Sequence, residues 1–299
     1  KMQHLLFLLF RLFEKSFRSK KSENEVYTSV EGSKEELDET GRLTTSPVRY
    51  QTYIDLNQNV YVQFPNSLAH SFWRSQEVSI FKQAAKQYQY PLLDFGCGDG
   101  SLSAAILDQI DYVIDIDLKA LQVAKGFNLY KHLLTFEEMV SSLDSNSIGS
   151  VISVSVLEHT TNLSKCIQEI YRVLKEDGTF FITVPNINFT NQMISLANKD
   201  FADFQNEKMY HRNLLSRDEW VELLESTGFS IISFDEFQPI VYTRKYFNLS
   251  LLGSKSLGRF KIFRNFFEKY MLNKNLKDVQ NSLHSNISDG ANFYIIAKK

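Results

Sequence analysis

Residues 92–103 read LLDFGCGDGSLS, and the fold follows from this stretch. Leu92 and Leu93 run into an acid, Asp94, and three glycines follow at alternate positions: Gly96, Gly98 and Gly100. A short buried strand should end here and pass through a tight turn into a helix beginning near Ser101. Glycine accepts backbone angles that other residues resist, and it lets a ligand lie directly on the chain. A strand, a glycine turn and a helix together form the nucleotide-edge device of open α/β sheets. The spacing is GxGxG, not the GxGxxG that cradles a dinucleotide pyrophosphate. The acid before the first glycine suits a ligand with an amino-acid end. The plainer alternative is a strand-to-helix turn that merely needs glycine.

The next apolar run, Tyr112 to Asp117, reads as a second strand ending in acid. Asp117 stands 21 positions after Gly96. That is the distance at which a second parallel strand brings a carboxylate over a bound ribose. Asp115 should alternate to the other face. Asp117 is therefore the expected ribose ligand, with helix capping as its alternative role. Phe136-Glu137-Glu138 precedes a polar turn, Asp144 to Ser147. The strand Val151 to Val156 leads into Leu157-Glu158-His159. A helix over 162–174 should be closed by Lys175-Glu176-Asp177-Gly178 with a glycine C-cap. Strand Thr179 to Val184 follows. Alternation of strands and helices predicts a doubly wound, mostly parallel sheet with helices on both faces.

Taken in order, these motifs resemble the class I S-adenosylmethionine-dependent methyltransferases. The resemblance rests on LLDFGCGDG, the DIDLKALQVAK segment from Asp115, VLEHT from Val156, YRVLKEDGTFFITVPN from Tyr171 and HRNLLSRDEWVELLESTGFSII from His211. It covers roughly residues 75 to 240, and a last strand, Asn292 to Ala297, closes the sheet. The resemblance implies a seven-stranded sheet and S-adenosylmethionine as cofactor. It implies that Asp94, Gly96, Cys97, Gly98 and Gly100 surround the methionine moiety and that Asp117 holds the ribose. Glu137 or Glu138 falls near the adenine-contacting acid, and Leu157 and His159 line the methyl-transfer pocket. Where the family carries an aromatic-Asp pair before the fourth strand, this chain has Ile148-Gly149.

A sulfonium donor carries its own leaving group, so the protein must align donor and acceptor and exclude water. A base is needed only for an acceptor protonated at neutral pH. His159, at a strand end on the ligand-binding edge, and His211, in a polar segment before the late helix, are the candidate bases or orienting groups. Helix capping or cofactor packing is the alternative for His159, and a surface position at a helix entry is the alternative for His211. Glu158 is expected to face away or to tie down its loop. No metal site is expected: Cys97 and Cys166 form no CxxC pair, and the six histidines show no HExxH spacing.

At 299 residues the chain can bury one sizeable core. A net charge of -2 argues against a dedicated nucleic-acid binder. Two cysteines make no disulfide framework and suit a reducing cytoplasm. Residues 1–22 carry an apolar block, Leu5 to Phe10, followed by Arg11, Arg18, Lys20 and Lys21. The block is too short to span a bilayer, which takes ~20 residues, and it lacks a signal-peptide cleavage site. An interfacial helix is favoured, with packing on the domain or a second subunit as the alternative. Residues 23–70 read as an acidic linker or lid. The methyltransferase domain would occupy 71–299, with a long insertion at 241–288. Phe260, Phe263, Phe266, Phe267, Tyr270 and Met271 recur there at helical spacing among Lys255, Arg259, Lys261, Arg264, Lys269, Lys274 and Lys277. That composition suits a membrane interface, a cap over the substrate pocket, or a grip on a substrate phosphate.

The expectation is methyl transfer from S-adenosylmethionine, onto oxygen, to a small or lipid-linked acceptor such as a quinone precursor or glycan. The protein would be cytoplasmic or peripheral on the inner face of a membrane, with that surface as a partner and no nucleic acid. Aminopropyl transfer on the same fold and a non-catalytic cofactor-binding partner protein are the competing readings.

Overall fold

The computed structural model describes residues 33–37, 43–47, 51–54, 60–63, 68–252 and 287–299, with side chains described over 69–249 and 287–299. Residues 1–22, the expected interfacial helix, and 255–277, the basic aromatic stretch, lie outside the described residues. Within the segment expected as a linker or lid, two short antiparallel ladders form. One pairs Ser33–Leu37 with Leu43–Pro47, the other Gln51–Ile54 with Val60–Gln63.

Seven strands make the central sheet: β1 (Leu92–Phe95), β2 (Ile110–Ile114), β3 (Tyr130–Leu134), β4 (Ile148–Val154), β5 (Leu174–Pro185), β6 (Ser230–Phe237) and β7 (Asn292–Lys298). Their order is β6-β7-β5-β4-β1-β2-β3, and β7 alone runs against its neighbours. The chain winds from β1 outward through β2 and β3, then returns to place β4 on the other side of β1. Strand order therefore reverses between β1 and β4, and in open α/β sheets ligands bind at the carboxyl ends of the strands that flank such a reversal.

Both faces of the central strands are covered, so β1 and β4 are buried along nearly their whole length, polar residues included. Helices α1 (Leu68–Ala84) and α2 (Ser101–Ile106) cover one face, packing Val78, Phe81 and Ile106 against Leu92, Ile152 and Phe181. Helix α3 (Leu118–Lys125) follows β2, and α4 (Phe136–Ser142) follows β3. The opposite face is covered chiefly by α5 (Leu163–Val173) and α8 (Arg217–Thr227). Ile167, Ile170 and Val173 recur along one side of α5 and are fully buried, each contributing about 1.5–3 kcal/mol. Helices α6 (Ile187–Leu196), α7 (Lys199–Lys208) and α9 (Ile240–Leu252) lie beyond β5 and β6.

Three expectations are corrected. Helix α5 does not end on a glycine cap: Leu174 is extended and begins β5, and the left-handed residue of the following bend is Asp177, φ 65°. Strand β2 stops at Ile114, so the alternation expected through Asp117 does not reach it. β3, not read from the sequence, is real. Its burial is shallow, so it lacks a strong apolar signature. Gly149, at the place of the family's aromatic-Asp pair, lies in β4, and a Cβ there would sit 2.6 Å from the Gln89 carbonyl oxygen.

Candidate active site

The turn after β1 is built by three left-handed glycines, with φ of 84°, 55° and 78° at Gly96, Gly98 and Gly100. They are not equivalent. A Cβ on Gly96 would collide with the Val156 side chain at the end of β4, and one on Gly100 would lie 2.8 Å from the Tyr130 hydroxyl. A Cβ on Gly98 would meet nothing within 4 Å. Gly96 and Gly100 are thus packing glycines, while Gly98 presents bare backbone to open space.

Asp115 holds the turn. One carboxylate oxygen accepts from Gly98 N at 2.7 Å and the other from Asp117 N at 2.9 Å. Partial burial pushes its carboxyl above the usual range, against these hydrogen bonds. Asp117 instead caps α3, accepting from Lys119 N at 2.9 Å. The reason is the early end of β2: once the strand stops, face alternation no longer sorts these two acids. Asp94 is buried beneath the turn and accepts a hydrogen bond from Ser103 Oγ. Burial lifts its carboxyl to about 7. Cys97 is also buried, and burial raises its thiol so far that it is no nucleophile. Leu157 is fully buried in the core. Glu137 is exposed in the first turn of α4, and Glu138 is spent on a capping box with Thr135.

At the end of β4 the chain turns through Leu157–His159, and a remote segment locks onto it. Arg212 N and Asn213 N donate to the Glu158 carbonyl, and the Asn213 amide donates to the carbonyls of Leu157 and Thr160 at 2.8 Å each. This clasp brings the two candidate histidines together: the His159 and His211 rings stack with centroids 5.6 Å apart. Phe189 meets His211 edge-on at 5.1 Å. The Glu158 side chain does not face away from this cluster. It is buried, with Oε1 3.5 Å from His159 Nε2 and Oε2 without a partner among the described residues. Burial pushes its carboxyl up to about 8. Behind it Arg74 pairs with Glu77 at 2.8 Å, and Ser155 donates to Glu77.

Sequence reasoning missed Arg74 and Glu77. Three apart on α1, they read as an ordinary solvated pair, and only the tertiary packing of α1 buries Glu77 and half-buries Arg74. Asn206 was missed as well, although its partner His211 stands only five positions on, where the turn closing α7 bonds His211 N to the Asn206 carbonyl.

A sequence profile described as a methyltransferase domain matches residues 93–182. A probable S-adenosylmethionine-dependent methyltransferase of Mycolicibacterium smegmatis is 26% identical over 171 residues, covering 56% of this chain and 63% of the relative. A ubiquinone biosynthesis O-methyltransferase of Glaesserella parasuis is 31% identical over 122 residues, 37% of this chain and 52% of the relative. An uncharacterized methyltransferase of Bacillus subtilis, YodH, is 31% identical over 177 residues, 54% of this chain and 72% of the relative. The chain thus spans between half and two-thirds of the length of the first two. Among solved structures, a SAM-dependent methyltransferase from Archaeoglobus fulgidus aligns with a TM-score of 0.49 at 14% identity, over 77% of this chain and 97% of that one.

Proposed function

The chain belongs to the class I S-adenosylmethionine-dependent methyltransferases, and from that premise we propose that it transfers a methyl group from S-adenosylmethionine to a hydroxyl on a small or lipid-linked acceptor. The open backbone at Gly98, with the Asp115 carboxylate at its edge, carries the reading. Left-handed glycine there leaves room for a ligand lying against the chain. Each Asp115 oxygen accepts one backbone hydrogen bond and keeps lone-pair capacity for a ribose hydroxyl. Asp115, rather than Asp117, is thus the ribose acceptor in this reading. When bound, the cofactor supplies a methyl group on a cationic sulfur. The protein's task is then to hold the acceptor in line and keep water out.

The acceptor would lie between the glycine turn and the stacked histidines, because Val156 joins the two regions. The Glaesserella parasuis relative, named for O-methylation in ubiquinone biosynthesis, supports oxygen as the acceptor atom. The basic, phenylalanine-rich composition of residues 255–277 supports a lipid-linked acceptor met at a membrane surface. No helix among the described residues is long and apolar enough to cross a membrane. Calorimetric titration with S-adenosylmethionine and, separately, S-adenosylhomocysteine tests the core of this reading. Micromolar binding of both, the product at least as tightly, is expected; binding of neither would sink it.

A further inference from the structure

Two histidines meet beside the glycine turn, but their ring nitrogens are differently engaged. The His159 ring is faced at both nitrogens: Nδ1 lies 3.3 Å from the Tyr210 carbonyl oxygen and Nε2 lies 3.5 Å from Glu158 Oε1. His211 has one nitrogen engaged. Its Nδ1 lies 3.1 Å from Asn206 Oδ1, and the Asn206 amide nitrogen donates to Thr190 Oγ1 at 2.9 Å. An amide oxygen only accepts, so Nδ1 carries the hydrogen and Nε2 keeps a lone pair. That Nε2 has no partner among the described residues.

Resting on the methyl-transfer reading above, we propose that His211 Nε2 receives the proton from the hydroxyl of an uncharged acceptor, that Asn206 is the residue that positions it, and that His159 is a fixed wall against which the His211 ring stacks. The charge around the rings favours an uncharged acceptor. Arg74 is matched by Glu77 at 2.8 Å. Burial keeps the Glu158 proton up to about pH 8, and burial together with the His159 ring lowers His211 to about 4. His159 is likewise lowered by burial. A charged acceptor would bring its charge into a half-buried site, which is costly unless it is paired.

The step balances. A lone pair on the acceptor oxygen forms the bond to the methyl carbon, and the carbon–sulfur bond breaks with its electron pair left on sulfur, giving the neutral thioether S-adenosylhomocysteine. The hydroxyl proton passes to His211 Nε2, and the half-buried imidazolium then releases it to water. A weak base suffices because the oxygen becomes strongly acidic as its bond to carbon forms.

The test uses the full chain labelled with 15N-histidine and saturated with S-adenosylhomocysteine. Long-range proton–nitrogen spectra are recorded from pH 4 to 9, with His211 assigned from His211→Gln. Catechol serves as the uncharged dihydroxy probe. Expected is a neutral His211 at pH 7 with hydrogen on Nδ1 and an Nε2 resonance that moves on catechol addition. Asn206→Asp should raise the ring's titration midpoint by about 1 pH unit or more, since a carboxylate favours imidazolium; a merely structural Asn206 would leave it in place. The opposite tautomer, a ring protonated at pH 7, or an Nε2 indifferent to catechol would each overturn the proposal. Calorimetry on the same sample separates the failures. Absent S-adenosylhomocysteine binding removes the methyl-transfer reading, whereas intact binding with the wrong tautomer removes only this inference.

Discussion

Two acids two positions apart, Asp115 and Asp117, divide the work at the end of β2. Asp115 touches the glycine turn through Gly98 N, and Asp117 caps a helix. Replacing Asp115 with Ala should weaken S-adenosylhomocysteine binding about 10- to 100-fold, the worth of hydrogen bonds to a charged group. Replacing Asp117 with Ala should leave affinity within about threefold and lower stability by about 1 kcal/mol, the usual effect of losing an N-cap. Calorimetry and urea denaturation on both variants check the division, and the reverse pattern would return the ribose to Asp117. The sequence showed that a carboxylate belonged here. It did not show which one, because a strand ending one or two residues early changes the face each side chain takes.

At the scale of elements, the glycine turn is a contact between β1 and β4 as much as a ligand cradle. Gly96→Ala should cost about 1–3 kcal/mol by overpacking against Val156, added to about 1–2 kcal/mol for a side chain at positive φ. Because the clash is local, Gly96→Ala with Val156→Ala should be less destabilised than the sum of the two single changes. Additive losses in denaturation would remove the contact as the cause. Gly98→Ala should lose only about 1–2 kcal/mol, for a side chain at positive φ. Its cofactor affinity should nonetheless fall at least about tenfold, since the new methyl group occupies the open cradle. Normal affinity would place the cofactor elsewhere.

For the whole molecule, buried titratable groups set a pH dependence. Asp94 and Glu158 have folded-state values of about 7 and 8, above the ordinary carboxyl values near 4. The folded state keeps protons that the unfolded chain has released, so their contribution is full below pH ~4 and is lost as pH rises through 7 to 8. His211, lowered to about 4 by burial and by the His159 ring, acts oppositely: it adds stability between about pH 4 and 6.5. It offsets one of the two carboxyls in that window, and the carboxyl loss stands alone above it. Urea midpoints should therefore fall gently from pH 5 to 6.5, more steeply just above it, and on toward pH 8. Glu158→Gln should remove most of that fall, because its folded value lies above that of Asp94; an unchanged slope would mean Glu158 is not buried as an acid. Deleting residues 1–21 should reduce association with anionic liposomes while leaving cofactor affinity intact. Equal liposome binding by both forms would remove this segment as a membrane contact.

The sequence alone determined the glycine turn and the alternation of strands and helices, because these depend on residues close together in the chain, where spacing fixes backbone geometry, and the resemblance its ordered motifs carry implied the class of cofactor. It also marked His159, at a strand end, and His211, in a polar segment before the late helix, as candidate bases or orienting groups. Only the tertiary structure decided that the two rings stack, that Glu77 and Glu158 are both buried with Arg74 half-buried beside Glu77, and that Asp115 rather than Asp117 meets the turn. Those relations join segments remote in the chain, and they are set by sheet order, by where each strand stops and by which helix covers which edge. No local pattern encodes them.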